Sequence, residues 1–402
     1  MSSVDGIESQ GELVKEATAD PMVIQRHGIA ATMFLIIGSG IMNQPQVWMM
    51  SGVIGTPFLY VICFSAVWLG SVMVVKSADN LKLVGKNLDY AVLAHTTHGP
   101  MGSFAVDGSI AVYNATACLS YVLLIGSMTS ELVQGWSGSD SFVTQSYFTT
   151  PIMALLFVFP LGLLPHYTHT QKLSILGVAA IVVVVAVVLF YGPVCSEGKQ
   201  VRAETVGAIN YWSTVGMVQK AGSVIFAFSY PHAIVHAYIG LTPRTTKAWK
   251  IVVTGAMSAG AFMCLCMGLA GYLSFREEVD GNILTNFVGW VGDALKILLV
   301  AHLVWYTPQE FVVLRHSILR LAKQEPLAMS TALRVGSTFA IIGCLVAICI
   351  ALDATGVSSG TAFGIILDIG GGVAGSFAAF ILPAIIFLRY GVRGSACTRI
   401  IV

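Results

Sequence analysis

Two stretches govern how the rest of the chain is read: Gly38-Ser39-Gly40-Ile41-Met42-Asn43-Gln44-Pro45 and Phe228-Ser229-Tyr230-Pro231-His232. Each interrupts an apolar segment of helix length. Gly38 and Gly40 lower the cost of leaving helical geometry. Pro45 and Pro231 lack an N–H, and inside a helix each crowds the carbonyl four residues back, at Ile41 and Ala227. The prolines stand 186 residues apart, close to half of the 402. Unpaired backbone groups in lipid are costly, so irregular backbone must be buried in protein or line a wet cavity. A helix break also exposes N–H groups on one half-helix and carbonyls on the other. The first attract a carboxylate and the second suit an ammonium or small cation. Breaks at matching points of two halves are a sequence pointer to a transport site.

The surroundings of these breaks fix the class. Apolar residue types make up 56% of the chain and charged types 10%, far below the roughly 25% charged residues of a soluble domain. The expectation is an all-α polytopic membrane protein; most soluble enzymes and disordered scaffolds are excluded. The net charge of +1 leaves no polybasic surface, so a nucleic-acid partner is excluded as well. Charge-free windows such as 27–75, 141–171 and 251–275 place ten helices, each needing about 20 apolar residues. Their expected limits are 29–50, 56–76, 104–130, 149–164, 172–192, 214–240, 249–273, 290–312, 335–352 and 369–389. Residues 1–26 read as a soluble cytosolic tail rather than a cleavable signal, 27–389 as one membrane domain, and 390–402 as a short cytosolic tail. Sixteen of the 21 lysines and arginines fall in loops on the N-terminal side, which predicts a cytosolic N-terminus. Lys220 and Lys296, near outer helix ends, are expected to snorkel outward. Loop 77–103 is the largest inner loop, with a short interfacial helix expected at Asp89–His95.

At the two interruptions the chain resembles the amino acid/auxin permease family. Gly38-Ser39-Gly40-Ile41, Pro45 and Gly52 look like its first-helix signature. Asn114 and Tyr121 repeat its third-helix spacing, Phe226-Ala227-Phe228-Ser229 its sixth-helix core, and Gly371 to Pro383 its tenth helix. The resemblance runs from about 28 to 390. It implies a leucine-transporter-like fold of two inverted five-helix repeats and secondary transport of amino acids. Carried over, Gly38, Ser39, Gly40, Ile41 and Met42 would meet the amino acid backbone. Phe228, Ser229 and Tyr230 would face them, and Asn114 would close the site. The family usually has an eleventh helix, whereas only a short tail follows the tenth span here. Sodium-coupled relatives place an Asn where this chain has Phe34, which offers no oxygen to a cation. Protons or simple exchange therefore gain weight over sodium.

Further candidates lie on the eighth span. His302 near its middle, with Tyr306 and Thr307, is a candidate for proton coupling, because intramembrane ionisable groups are expensive and imidazole titrates near neutral pH. Asp107 and Glu310, near inner helix ends, are candidates for an inner gate paired with Arg or Lys. Asp353 and Asp368 flank the outer end of the tenth span and suggest a vestibule. His232 and His236 share a helical face, but residue 233 is Ala and no third ligand is evident, so no metal is expected. Asn114-Ala-Thr fits a glycosylation pattern inside a span. The eight cysteines show no CxxC pattern, and no nucleotide-binding or nucleophile motif sits in a usable context. No enzyme activity and no cofactor are expected. The sequence-level reading is an alternating-access carrier of amino acids, with neutral substrates favoured by Phe228 and Tyr230. Its membrane is the plasma membrane or that of a vacuole or lysosome. A channel or an amino-acid-sensing receptor of the same fold is the competing class.

Overall fold

The computed structural model describes residues 29, 32, 36, 38–83, 88–164, 171–192 and 207–390. The tail 1–26, Phe34, Cys195, Cys397 and residues 391–402 lie outside these. The described chain is helical. After helical residues at Ile29, Thr32 and Ile36, a 3-10 turn Ser39–Asn43 leads into α1 (Gln44–Ser51). Then come α2 (Gly55–Asn80), α3 (Tyr90–Ser137), α4 (Ser146–Met153, continuing through a π turn at Ala154–Val158 into Phe159–Gly162) and α5 (Gln171–Tyr191). The second half holds α6 (Thr214–Phe228), α7 (Ile234–Ile239), α8 (Thr246–Phe275), α9 (Gly289–Leu321) and α10 (Thr331–Ala354). The last, α11, starts at Ser359–Ile369, passes through wide π turns at Gly370–Gly375 and Phe377–Ile381, and ends in Leu382–Tyr390.

Six helices are long and apolar enough to cross a bilayer among the described residues: α2, α3, α8, α9, α10 and α11. α4, the part of α5 from Gly177, and α6 are shorter apolar helices. Two groups are visible in the packing. The 3-10 turn with α1, α2, α6 and α8 pack on one another; α3, α4, α9 and α10 form the other group, held by an extensive α3–α9 contact. In lipid, apolar surface gives little drive to helix association, so close approach through small residues matters more. α11 shows this. A Cβ on Gly371 would fall 1.9 Å from the Gly222 carbonyl oxygen of α6, and one on Gly70 of α2 would fall 1.9 Å from that of Ala379.

Several local outcomes differ from the expectation. Pro45 does not kink a continuous helix; it stands in the first turn of α1, where a missing N–H costs nothing. Pro231 sits in the turn after α6, outside either half-helix. The expected interfacial segment is a helical run from Tyr90, capped by Asp89 accepting from the Val92 amide at 2.7 Å. It bends at Gly99 (φ 64°, ψ −156°) and continues after Pro100 as the long part of α3, so the inner loop is much shorter than 77–103. Lys220 and Lys296 do not reach outward. Lys220 Nζ lies 2.7 Å from Asp368 Oδ2, and Lys296 Nζ lies 2.8 Å from Glu131 Oε2, with lysine side chains 6% and 9% exposed. The partner carboxylates come from neighbouring helices, which hydropathy along one segment cannot reveal. Asp368 accordingly lies within α11 and not beyond its end.

Candidate functional site

Both interrupted segments are broken, and their breaks meet. Helical geometry ends before Gly38, whose backbone is extended, and resumes at Ser39. α6 ends at Phe228, Ser229 is extended, and helix returns only at Ile234. A Cβ on Gly40 would stand 3.1 Å from Ala227 Cα and 3.2 Å from Ala227 Cβ, so the two backbones touch. The freed backbone groups find partners, as buried polar groups must. Gln44 Nε2 donates to the Gly40 carbonyl at 2.9 Å, and its Oε1 accepts from the Tyr60 hydroxyl at 2.6 Å. The Tyr113 hydroxyl donates toward the Ser229 carbonyl at 2.8 Å and lies 3.3 Å from that of Phe226.

Between the breaks lies a small cavity of about 10 Å³, room for roughly one water. Gly38, Gly40 and Ser229 line it, together with Phe226 and Ala227 of α6. Tyr113, Ala117 and Tyr121 of α3 form one wall, and Tyr306 and Glu310 of α9 another. α3 and α9 contribute at intervals of four, which puts their contributing residues on one face of each helix. That spacing was available in the sequence and would have found Tyr113 and Ala117. Pairing of the two faces was not available, because it depends on how α3 packs on α9. The Tyr121 and Tyr306 rings meet edge to face at 5.7 Å, and Tyr113 stacks on Phe226 at 5.0 Å.

The other expected site residues surround this cavity. Ser39 Oγ lies 3.3 Å from Ser120 Oγ and ties the first break to α3. Ile41 and Met42 are buried beside it. Phe228 turns away, against Tyr60 and Phe64 of α2 at 5.4 and 6.3 Å, and the Tyr230 hydroxyl lies 3.5 Å from Ser71 of the same helix. Helical rotation at the end of α6 turns Phe228 to α2 while Phe226 and Ala227 face the cavity, and beyond the extended Ser229, which lines the cavity, Tyr230 also faces α2. Asn114 is fully buried next to Tyr113, with its amide donating to the Ile110 carbonyl at 2.9 Å; the sequon is therefore inaccessible. His302 stacks on Tyr306 at 5.3 Å and presses on α5, where a Cβ on Gly177 would lie 2.8 Å from its Nδ1. The Thr307 hydroxyl donates to the Leu303 carbonyl within α9.

Charged groups bracket the cavity. Two helical turns along α6 from Ala227, Lys220 bonds to Gln46 Oε1 at 2.9 Å as well as to Asp368, whose other oxygen accepts from the Ser223 hydroxyl at 2.5 Å. Gln46 also lines a wider pocket of about 380 Å³ with Glu277, Glu278, Asp280, Asn286 and Thr361. On the opposite side, Asp107 accepts from Arg320 at 2.7 Å, and Arg320 also reaches Asp89 at 2.9 Å. Glu310 is not part of such a pair with Arg or Lys. It sits in the cavity wall, with its Oε1 3.6 Å from His232 Nε2. No group of three or more His, Cys, Asp or Glu able to hold a metal occurs among the described residues.

Six apolar helices of membrane length, with two further segments broken around a buried cavity, define a polytopic helical membrane protein. The chain matches the family described as "Transmembrane amino acid transporter protein" over residues 26–391, and it belongs to that family. Among its relatives, "Vacuolar amino acid transporter 2" of Saccharomyces cerevisiae is 22% identical over 87% of this chain and 72% of its own length. "Amino acid transporter AVT6C" of Arabidopsis thaliana is 26% identical over 90% of this chain and 85% of its own. "Sodium-coupled neutral amino acid transporter 7" of Bos taurus is 18% identical over 62% and 54%.

Proposed function

We propose that the chain is a secondary active transporter of amino acids that works by alternating access across a membrane, with its N-terminus cytosolic. The observation that carries this reading is the meeting of two helix breaks at one buried cavity. There the N-terminal end of the 39–51 helical run and the C-terminal end of α6 come together, offering an amide pole and a carbonyl pole to a zwitterion. The packing into two helix groups suits a leucine-transporter-like arrangement of ten spans in two inverted repeats, in which the group holding α1 and α6 rocks against the group holding α3 and α9. Gly38 to Met42 and Ser229 serve the substrate backbone, with Phe228, Tyr230 and Asn114 shaping the site from behind. The aromatic walls favour a neutral side chain. The Lys220–Asp368 pair closes the outer side, and Asp107 with Arg320 closes the inner side, where Glu310 stands between the cavity and that clamp. His302, Tyr306 and Thr307 give α9 the polar stretch that serves coupling. Protons are preferred to sodium because Phe34 offers no cation ligand. The yeast relative's name favours a vacuolar-type membrane over the plasma membrane.

The test is uptake of labelled amino acids into proteoliposomes with and without a pH gradient. Saturable uptake that the gradient drives uphill is the expected result. Current beyond any fixed stoichiometry would favour a channel, and binding without flux would favour a receptor.

A further inference from the structure

Among the described residues Glu310 is the one carboxylate in the cavity wall, and its surroundings do not neutralise it. The side chain is 5% exposed, its Oε2 has no hydrogen-bond partner, and its nearest basic group is the His232 imidazole at 3.6 Å. His232 is equally enclosed, and its Nδ1 is also without a partner. The titratable groups facing Glu310 are Tyr113, Cys118 and Tyr121 from α3, Tyr306 from α9 itself and His232 from the α6–α7 turn. None is a permanent cation. The nearest arginine clamp is occupied by Asp89 and Asp107.

An isolated ionised carboxylate in such a place is strongly penalised, whereas a protonated one is not. The penalty disappears when water enters from either side. Glu310 shares its cavity with the two helix breaks, the backbone that has to move for the site to open. Ionised and closed is therefore the disfavoured combination, so closing the cavity selects the protonated acid.

We propose that Glu310, in contact with His232, is the group that takes up the coupled proton on one side of the membrane and releases it on the other. The step is a plain proton transfer: a carboxylate oxygen gains a proton from water at the open face and returns it to water at the opposite face, with no other bond made or broken. His232 is a positioning residue, placed to share the proton and to link its occupancy to the α6–α7 turn. His302 lies two turns away on α9, packed against α5, and has no place in the cavity wall. This inference rests on the transport reading above and deepens it.

The test uses proteoliposomes of the full chain loaded with a pH-reporting dye, with proton entry and labelled amino acid entry measured together. Wild type is expected to take up protons in proportion to amino acid, Glu310→Gln to lose amino-acid-dependent proton entry, and Glu310→Asp to retain it. A Gln variant that moves protons in wild-type proportion overturns the proposal. If the Gln variant moves neither species, Glu310→Asp decides: proton-coupled flux supports the assignment, and uncoupled or absent flux overturns it. Amino acid flux in wild type without proton entry, including uptake of cationic amino acids alone, overturns this inference and leaves the transport reading standing. No amino acid flux in wild type removes both.

Discussion

Gly40 shows how much one position carries. Its Cα hydrogen occupies the gap between the 39–43 turn and Ala227, and a Cβ at 3.1–3.2 Å needs the neighbouring backbone to yield. Gly40→Ala is expected to slow uptake by a few-fold, and Gly40→Val to reduce it by roughly tenfold or more, because overpacking at a backbone contact cannot be relieved by a rotamer change. Both proteins should still elute as folded monodisperse species on size exclusion. Wild-type uptake by the valine variant would show that the two breaks do not form the site. Gly38 was legible from sequence as part of the same signature, and its added Cβ would approach the Tyr121 hydroxyl at 3.1 Å. Tyr230 was not legible in direction. An extended residue at Ser229 rotates the side chain that follows it, and no helical projection predicts where it then points.

At the scale of elements, α6 and α11 are held by two devices. One is steric: Gly222 and Gly371 leave no room for a methyl group. Gly371→Ala is expected to cost roughly 1–3 kcal/mol, seen as a lower melting temperature in detergent. The other is the Lys220–Asp368 pair. Breaking it from one side leaves a buried ammonium without its counter-ion, a loss of about 3–5 kcal/mol in comparable sites. Asp368→Asn should therefore melt well below wild type, and the double change Lys220→Met with Asp368→Leu should recover most of that loss. A double variant no better than the single one would show that the pair does more than neutralise itself. Hydropathy made both lysines look like outward-reaching side chains, because their carboxylates lie far away in sequence: 148 positions for Lys220 and 165 for Lys296.

At the scale of the whole molecule, α3 and α9 run antiparallel, with Glu131 paired to Lys296 near one end and Asp89 to Arg320 near the other, so the turns at 138–145 and 276–289 share one end and those at 81–83 and 322–330 share the other. With a membrane between those ends, Ser139→Cys and Lys323→Cys, both exposed, are expected to react with an impermeant thiol reagent from opposite sides. Labelling of both from one side would refute the ten-span topology. The sequence by itself determined the membrane class, most of the helix positions and the location of both breaks. These follow from local properties: runs without charge, and glycine and proline chemistry acting within one turn of backbone. Only the tertiary structure decided that Glu310 stands in the cavity beside His232, that Arg320 joins Asp89 to Asp107, and that α3 supplies tyrosines to the wall. Those facts depend on which helix faces meet, and a face acquires its partner only when segments far apart in the chain pack together.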